Sequence, residues 1–269
     1  MQHSNIVMME KAHVKKLFIG FGLAFLFLFL ILMVNQILLM DNVINQITFV
    51  QFLTLLLYSI PSVIVMSLPF SVCLGFSYVL TKIGFFEMFK KSKKNILPVL
   101  ISGLVIFTAA YVVFDFILPS ATQNFRDLYR SALSNEIVDT ANMSPREMNS
   151  INLVKSRSQF MNSERDFNLY LLELNKRFSI PFGALVFTIF STSLSILLKK
   201  RIKITGCIAV VSCVIYWAML MYGEFYSIRA NNFGILAMWL PNIVFLCIST
   251  VLYYIGQKIN RSSSLADAM

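Results

Sequence analysis

The chain has 269 residues, of which 57% are hydrophobic and only 13% charged, and its formal net charge at pH 7 is +10. A soluble domain of this length needs far more charge on its surface, so the composition excludes an ordinary soluble globular protein and indicates a membrane protein.

Six apolar stretches follow one another along the chain, and each approaches or exceeds the roughly 20 residues that a helix needs to cross a bilayer. They are Leu17 to Met40, Phe52 to Leu80, Ile96 to Leu118, Ile180 to Leu198, Ile204 to Tyr222 and Ile235 to Ile255. The first is too long for the apolar part of a secretory signal, so we expect it to be retained as a span. The sequence therefore predicts an all-α membrane protein with three spans on either side of a polar insert.

Lysine and arginine residues are concentrated in alternate polar segments: before span one, between spans two and three, between spans four and five, and after span six. Because short loops rich in these residues stay on the cytoplasmic side, this asymmetry predicts that both termini are cytoplasmic. We therefore interpret the net charge as a signal of topology and of attraction to anionic inner-leaflet lipids, and we predict no nucleic-acid partner.

Span two contains two prolines, Pro61 and Pro69, in the segment IPSVIVMSLP. Each removes a backbone donor and frees a carbonyl, which a membrane helix tolerates where its neighbours compensate. Two interpretations stay open: a kinked helix that is packed in place, and a helix that flexes as a gate to open a lateral path.

The polar segment between spans two and three, Thr81 to Asn95, holds one acid, Glu87, among five lysines. Apolar side chains interrupt it at Ile83, Phe85, Phe86, Met88 and Phe89. The pattern fits an amphipathic helix lying on the inner membrane face, and it fits equally a docking helix whose aromatic face enters a groove of a cytosolic partner.

The longest polar stretch runs from Pro119 to Phe178. Within it, Ser144 and Glu147 are spaced as the N-cap and third residue of a helix, with Pro145 at the first position. Apolar side chains recur at helical spacing further on, at Phe167, Tyr170, Leu171 and Leu174. We expect this stripe to pack on a partner or to lie at the membrane interface.

Ionisable residues inside the spans are scarce. Asp115 and Glu224 lie near the predicted outer ends of their helices, where the sequence favours a solvated helix terminus over a functional site. No carboxylate lies near the middle of a span, which argues against an ion-coupled carrier.

The sequence offers no catalytic residue, metal site or cofactor site. Both histidines, His3 and His13, precede span one, and the four cysteines lie inside spans without a CxxC pair. No GxxxxGK[ST] phosphate loop occurs, so we do not expect an enzyme, and any ATP hydrolysis would take place in a separate chain.

Several segments together resemble the LptF/LptG (YjgP/YjgQ) family, the membrane subunits of the ATP-driven lipopolysaccharide exporter of diderm bacteria. The resemblance rests on the Pro61 and Pro69 pattern, the Glu87 segment before Pro98, ILPSATQNFRDLYR from Ile117, YLLELNKRFSIP from Tyr170 and MWLPN from Met238.

This resemblance implies a permease subunit of the inner (cytoplasmic) membrane. It places Glu87 at the acidic position of a coupling helix that docks on a cytosolic ABC ATPase dimer, with Phe85, Phe86, Met88 and Phe89 beside it. It also implies that spans one and five of two homologous permeases enclose a cavity. That cavity would take lipid from the outer leaflet and pass it to periplasmic lipid-transfer bridge proteins.

The chain departs from the family pattern in its centre, where members insert a periplasmic β-jellyroll. Here the segment between Leu133 and Met143 is too short for even a small sheet. We therefore expect a shortened form in three parts: residues 1–118 with spans one to three and the coupling segment 81–95, residues 119–178 with periplasmic helical extensions and a linker, and residues 179–269 with spans four to six. Its partner would be a second permease that retains its jellyroll.

A second departure concerns the lipid. Family cavities tend to carry a cation on span one, but this chain has Asn35 and Gln36 in that region, and a neutral hydrogen bond to phosphate is weaker than a charge-assisted one. Arg126, Arg130 and Arg177 at the outer mouth are candidate replacements, unless they merely anchor the interface or pair with Asp127 and Glu173. The expected substrate is lipopolysaccharide, or a related large amphipathic lipid or lipid-anchored molecule.

Three functions thus remain. An exporter permease is preferred; an ion-coupled secondary transporter would need an ion site in the middle of a span, and a non-transporting membrane scaffold would need neither cavity nor ATPase.

Overall fold

The computed structural model describes residues 2–40, 47–91, 96–133, 144–161, 163–229 and 234–266. The helices in these ranges are α1 (Gln2–Leu39), α2 (Phe49–Lys82), α3 (Phe85–Lys91), α4 (Ile96–Val112), α5 (Leu118–Leu133), α6 (Ser150–Lys155), α7 (Glu164–Leu198), α8 (Ile202–Arg229) and α9 (Gly234–Ala266). A π-helical turn, Val113–Ile117, joins α4 to α5, and 3-10 turns occupy Pro145–Glu147 and Arg157–Phe160. The described residues form no β-strand.

Six helices are long and apolar enough to cross a membrane, which confirms the predicted all-α class and the number of spans. Spans one, two, five and six are α1, α2, α8 and α9, and span four is α7. Span three is α4 continued through the π turn into α5. Spans three and four extend over 36 and 34 residues, so at about 1.5 Å per residue both helices are longer than the roughly 30 Å hydrocarbon core. The helical extensions predicted on either side of the insert are therefore continuous with their spans.

Spans two and four form the centre of the bundle and pack on each other. Span one packs on span two, spans three and six pack on span four, and span five contacts spans two, four and six. The central helices are accordingly the most buried, whereas spans one and five keep much of their apolar surface exposed.

Glycines allow the closest helix approaches. Gly75 of span two faces the backbone of Gly20 and Phe21 in span one, and Gly103 of span three faces Thr188 of span four. Small residues at such crossings let two backbones approach closely. The resulting van der Waals packing is one of the forces that hold helices together in lipid.

Hydroxyl and amide groups link the same helices inside the bundle. The Ser77 hydroxyl donates to Ser191 at 2.9 Å, joining spans two and four. The Tyr216 hydroxyl donates to Asn242 at 2.8 Å, and the Asn242 amide donates to the Ser179 hydroxyl at 2.9 Å. Spans four, five and six are therefore linked by one fully buried chain of hydrogen bonds.

The crossing of spans one and two gives a direct test of the packing. A Cβ at Gly75 would lie 2.7 Å from the Gly20 carbonyl oxygen, whereas a Cβ at Gly22 would meet nothing within 4 Å. We expect Gly75→Ala to lower the free energy of unfolding by about 1–3 kcal/mol because backbone must shift. Gly22→Ala should leave it unchanged or raise it by up to ~1 kcal/mol. Thermal unfolding in detergent measures both, and equal midpoints would contradict this helix crossing.

Candidate functional site

The two ends of the bundle carry the candidate residues. The end that holds Gly84 and the Lys199 to Lys203 turn is called the inner end here, and the end that holds Asp115 and Glu224 is called the outer end.

At the inner end, the chain turns from α2 into α3 at Gly84, whose φ of +66° favours glycine. Phe85 and Phe86 are buried in the main hydrophobic cluster, and the Lys199 ammonium lies 5.2 Å from the centre of the Phe86 ring. Glu87 is exposed and Met88 half-buried. The two aromatic side chains thus attach α3 to its own bundle and leave Glu87 facing outward. The Phe89 side chain lies outside the described residues.

The two prolines of span two lie within an uninterrupted helix. Pro69 is buried and Pro61 half-buried. Both interpretations, a packed kink and a flexing gate, therefore stay open.

Asn35 is exposed on span one and Gln36 partly so, and the apolar side chains of Val34 and Leu38 near them are more than half exposed. The two amides thus lie on a part of span one that the described residues leave uncovered.

The outer end is built around one buried ion pair between spans three and four. Asp115 lies in the π turn, and its carboxylate is 3.0 Å from the Arg177 guanidinium. Both side chains are at most 5% exposed. The same Asp115 oxygen accepts from the backbone N–H and the hydroxyl of Ser150 at 2.8 and 2.5 Å, and Arg177 donates to the carbonyls of Pro145 and Met148. The pair therefore fixes residues 144–161, here called the linker segment, onto spans three and four.

A second set of ion pairs extends this attachment to span five. Arg146 of the linker segment donates to Glu173 at 2.7 Å and to Glu224 at 2.8 Å. Lys176 pairs with the same two carboxylates at 3.4 and 2.5 Å. Burial by itself would lower the pKa of Arg146. The Glu173 and Glu224 carboxylates have the larger combined effect and raise this pKa above its ordinary value. These four residues bring the linker segment and spans four and five together.

Glu147 completes the attachment on the span-three side. It pairs with Arg126 at 2.6 Å and accepts from the Ser144 backbone N–H at 3.1 Å. The predicted helix start at Ser144 is thus confirmed as a capping box, although it opens a single 3-10 turn.

The sequence predictions for the outer residues are met in part. Arg126 also pairs with Asp127 at 3.2 Å, which the sequence analysis left open as an alternative, but Arg177 pairs with Asp115 and not with Glu173. The solvated-terminus interpretation is wrong for Asp115, which is buried at 4% exposure. Arg130 is exposed on α5.

The Asp115 and Arg177 pair was missed because 62 residues separate its members and the π turn leaves no local pattern. The available signal was that each lies at the flank of an apolar run, where ionisable groups are usually paired.

A cavity of about 240 Å³ lies at this end. Its lining combines apolar side chains of spans two and three with charged side chains of the outer pairs. Span two contributes Ser62, Val65 and Met66, span three Phe114, Leu118 and Thr122, and the remaining lining residues are Arg146, Glu173, Lys176, Arg177, Ile180 and Glu224. A larger, mainly apolar groove of about 740 Å³ lies between spans five and six, beside Met219, Tyr222 and Leu240. No cluster able to hold a metal ion occurs among the described residues.

One comparison with known proteins is informative. The model of a family described as lipopolysaccharide export system permease LptF/LptG matches residues 129–255, which include part of the insert and most of spans four to six. No curated protein sequence matches the chain.

The buried pair should dominate the stability of the outer end. We expect Asp115→Asn to lower the free energy of unfolding by about 3–5 kcal/mol, because Arg177 would remain buried with an uncompensated charge. Asp127→Asn is the matched control, since Asp127 is about one third exposed and its pair with Arg126 contributes about 0–1 kcal/mol. Denaturation followed by tryptophan fluorescence measures both. A cost below about 1 kcal/mol for Asp115→Asn would contradict this pairing.

Proposed function

Since this chain belongs to the LptF/LptG family, we propose that it is the transmembrane permease subunit of an ABC-type lipid exporter in the bacterial inner membrane. The subunit would take lipopolysaccharide, or a related large amphipathic lipid or lipid-anchored molecule, from the outer leaflet toward the outer membrane. A separate cytosolic ATPase would hydrolyse ATP.

The uncovered faces of spans one and five carry this proposal beyond the family match. Both spans pack on span two, and both leave large apolar side chains about half exposed or more, among them Leu23, Phe27 and Leu30 on span one and Val211, Val214 and Trp217 on span five. Apolar surface of this extent is covered either by lipid or by another membrane protein. A second permease with the same arrangement, facing this one, would enclose a lipid-sized space between the four helices.

The short insert supports a pair of unlike permeases. The described linker segment holds two 3-10 turns and one helix of six residues, and it is fixed to the outer ends of spans three to five. It offers no sheet on which to pass a lipid to bridge proteins. The partner permease would therefore supply the jellyroll for the whole exporter.

The inner end supports coupling to an ATPase. Phe85 and Phe86 attach α3 to the bundle. A force applied to α3 would therefore be transmitted to span two and to the inner end of span four. Glu87 is exposed at the same place and can form a charge-assisted contact with a cation of the ATPase. We assign the coupling contact to Glu87 and Met88, with the aromatic residues as its support.

The ion pairs at the outer mouth support a weaker contact with an anionic substrate than unpaired cations would make. Arg177 already binds Asp115 and two carbonyls, and Arg126 binds Glu147 and Asp127. Arg130 is exposed at the same end, and the neutral Asn35 and Gln36 would contribute ordinary hydrogen bonds. The proposed selection therefore depends more on the size and shape of the lipid than on its phosphates.

Glu87 provides the test of the coupled permease. In the native complex extracted in mild detergent, we expect Glu87→Ala and Glu87→Lys to reduce lipid-stimulated ATP hydrolysis about tenfold or more. The reason is that a hydrogen bond to a charged group contributes about 1.5–3 kcal/mol. Asp166→Ala is the control, because Asp166 is also an exposed carboxylate but lies at the outer end. Unchanged turnover in both Glu87 variants would contradict coupling through α3 and favour a surface helix of a non-transporting scaffold.

A further inference from the structure

The turn between spans four and five has a strained backbone. Lys199 has a φ of +51° and a ψ of −115°, and it is the one non-glycine residue with a positive φ in the described part of the chain. The Arg201 N–H donates to the Leu198 carbonyl at 3.1 Å, which closes a four-residue turn with Lys199 at its second position. The angles of Lys199 are typical of that position in a type II′ turn, where glycine is preferred. Lysine at this position therefore costs free energy that glycine would not cost.

The side chains of this turn lie against α3. The Lys199 ammonium is 5.2 Å from the centre of the Phe86 ring, which is one of the two aromatic rings that attach α3 to the bundle. The side chain of the next residue, Lys200, lies beside the joint between span two and α3, because a Cβ placed on Gly84 would be 3.6 Å from the Lys200 Cε. The strained turn thus places two lysine side chains at the start of α3.

The backbone at the start of α3 does not fix the angle of this helix. Gly84 joins α3 to span two with a φ of +66°, and glycine adopts a wider range of backbone angles than any other residue. The position of α3 therefore depends on its side-chain contacts, and α3 packs on spans two and four. Lys199 ends span four, so its contact with Phe86 connects α3 to a helix at the centre of the bundle.

We propose that Lys199 is a positioning residue of the coupled permease. The strained turn holds its ammonium over the Phe86 ring, and this contact fixes α3 against the inner end of span four, so that a movement of α3 reaches that span. The strain is the cost of placing a lysine side chain where the turn alone favours glycine. The role in coupling rests on the proposed function, whereas the contact of Lys199 with α3 does not.

Hydrogen exchange of residues 84–88, measured by mass spectrometry on the full chain in mild detergent, tests the contact. We expect Lys199→Met and Lys199→Gly each to speed this exchange about two- to fivefold, which corresponds to the loss of one cation–π contact near the surface. Lys199→Arg keeps a cation over the ring and should exchange like the unchanged chain. Lys82→Met is the control, because Lys82 lies at a similar distance, 5.3 Å, over the Tyr78 ring within span two.

The ring itself provides a second test of the same contact. Phe86→Leu keeps an apolar side chain in α3 but removes the aromatic face. In that background, Lys199→Met should change the exchange of residues 84–88 no further. A full additional increase would overturn the assignment of Phe86 as the partner of Lys199.

The two Lys199 variants without a cation separate positioning from stability. Only glycine relieves the positive φ, so we expect Lys199→Gly to unfold about 2–4 °C above Lys199→Met, although both variants loosen α3 equally. In the native complex, both should reduce lipid-stimulated ATP hydrolysis about two- to fivefold, and Lys199→Arg should retain it. A role in stability alone predicts a loss for Lys199→Met and none for Lys199→Gly.

Three results would overturn the proposal: unchanged exchange of residues 84–88 in both variants, equal unfolding midpoints of the two, or faster exchange without any loss of lipid stimulation. The proposed function fails by a different result, since unchanged turnover in the Glu87 variants rejects the ATPase contact. The exchange of residues 84–88 in the chain alone still decides whether Lys199 holds α3.

Discussion

Neutralisation of buried charge is the constraint on which the outer half of this protein depends. Asp115 and Arg177 lie in two different spans, far from bulk water, and neither can be buried alone without a cost of several kcal/mol. Their pairing sets the relative position of spans three and four. Because Arg177 also binds two carbonyls of the linker segment and Asp115 binds Ser150, the same pair determines where the linker segment lies.

The remaining charges extend this arrangement. Arg146 and Glu147 are neighbours in the linker segment, yet one reaches spans four and five and the other reaches α5. The linker segment is therefore held by ion pairs that are partly shielded from water and so less weakened by salt than exposed pairs, together with the buried side chain of Leu153. This explains how the linker segment keeps a defined position without the core of a separate domain.

The sequence predicted the fold well and the outer site poorly, for physical reasons. Each apolar run had to be a helix, because a backbone in lipid must satisfy its own hydrogen bonds. The apolar runs from Leu17 onward therefore predicted all six spans, and the predicted inner ends differ from the observed ones by only a few residues. The Asp115 and Arg177 pair depends on a π turn and on contact between distant helices, neither of which has a local signature. Similarly, the aromatic residues of α3 were open to two interpretations, the membrane face and a partner's groove, because both require the same apolar residues. The burial of Phe85 and Phe86 against their own bundle was not among them.

We propose that this chain is one half of an asymmetric exporter. The linker segment is held at one end, α3 with an exposed Glu87 is attached at the other, and uncovered apolar faces on spans one and five lie between them. The mass of the intact complex, extracted from its native membrane in mild detergent, tests this claim most directly. We predict one copy of this chain, one longer homologous permease and two copies of an ABC ATPase. A complex with two copies of this chain and no second permease would contradict it.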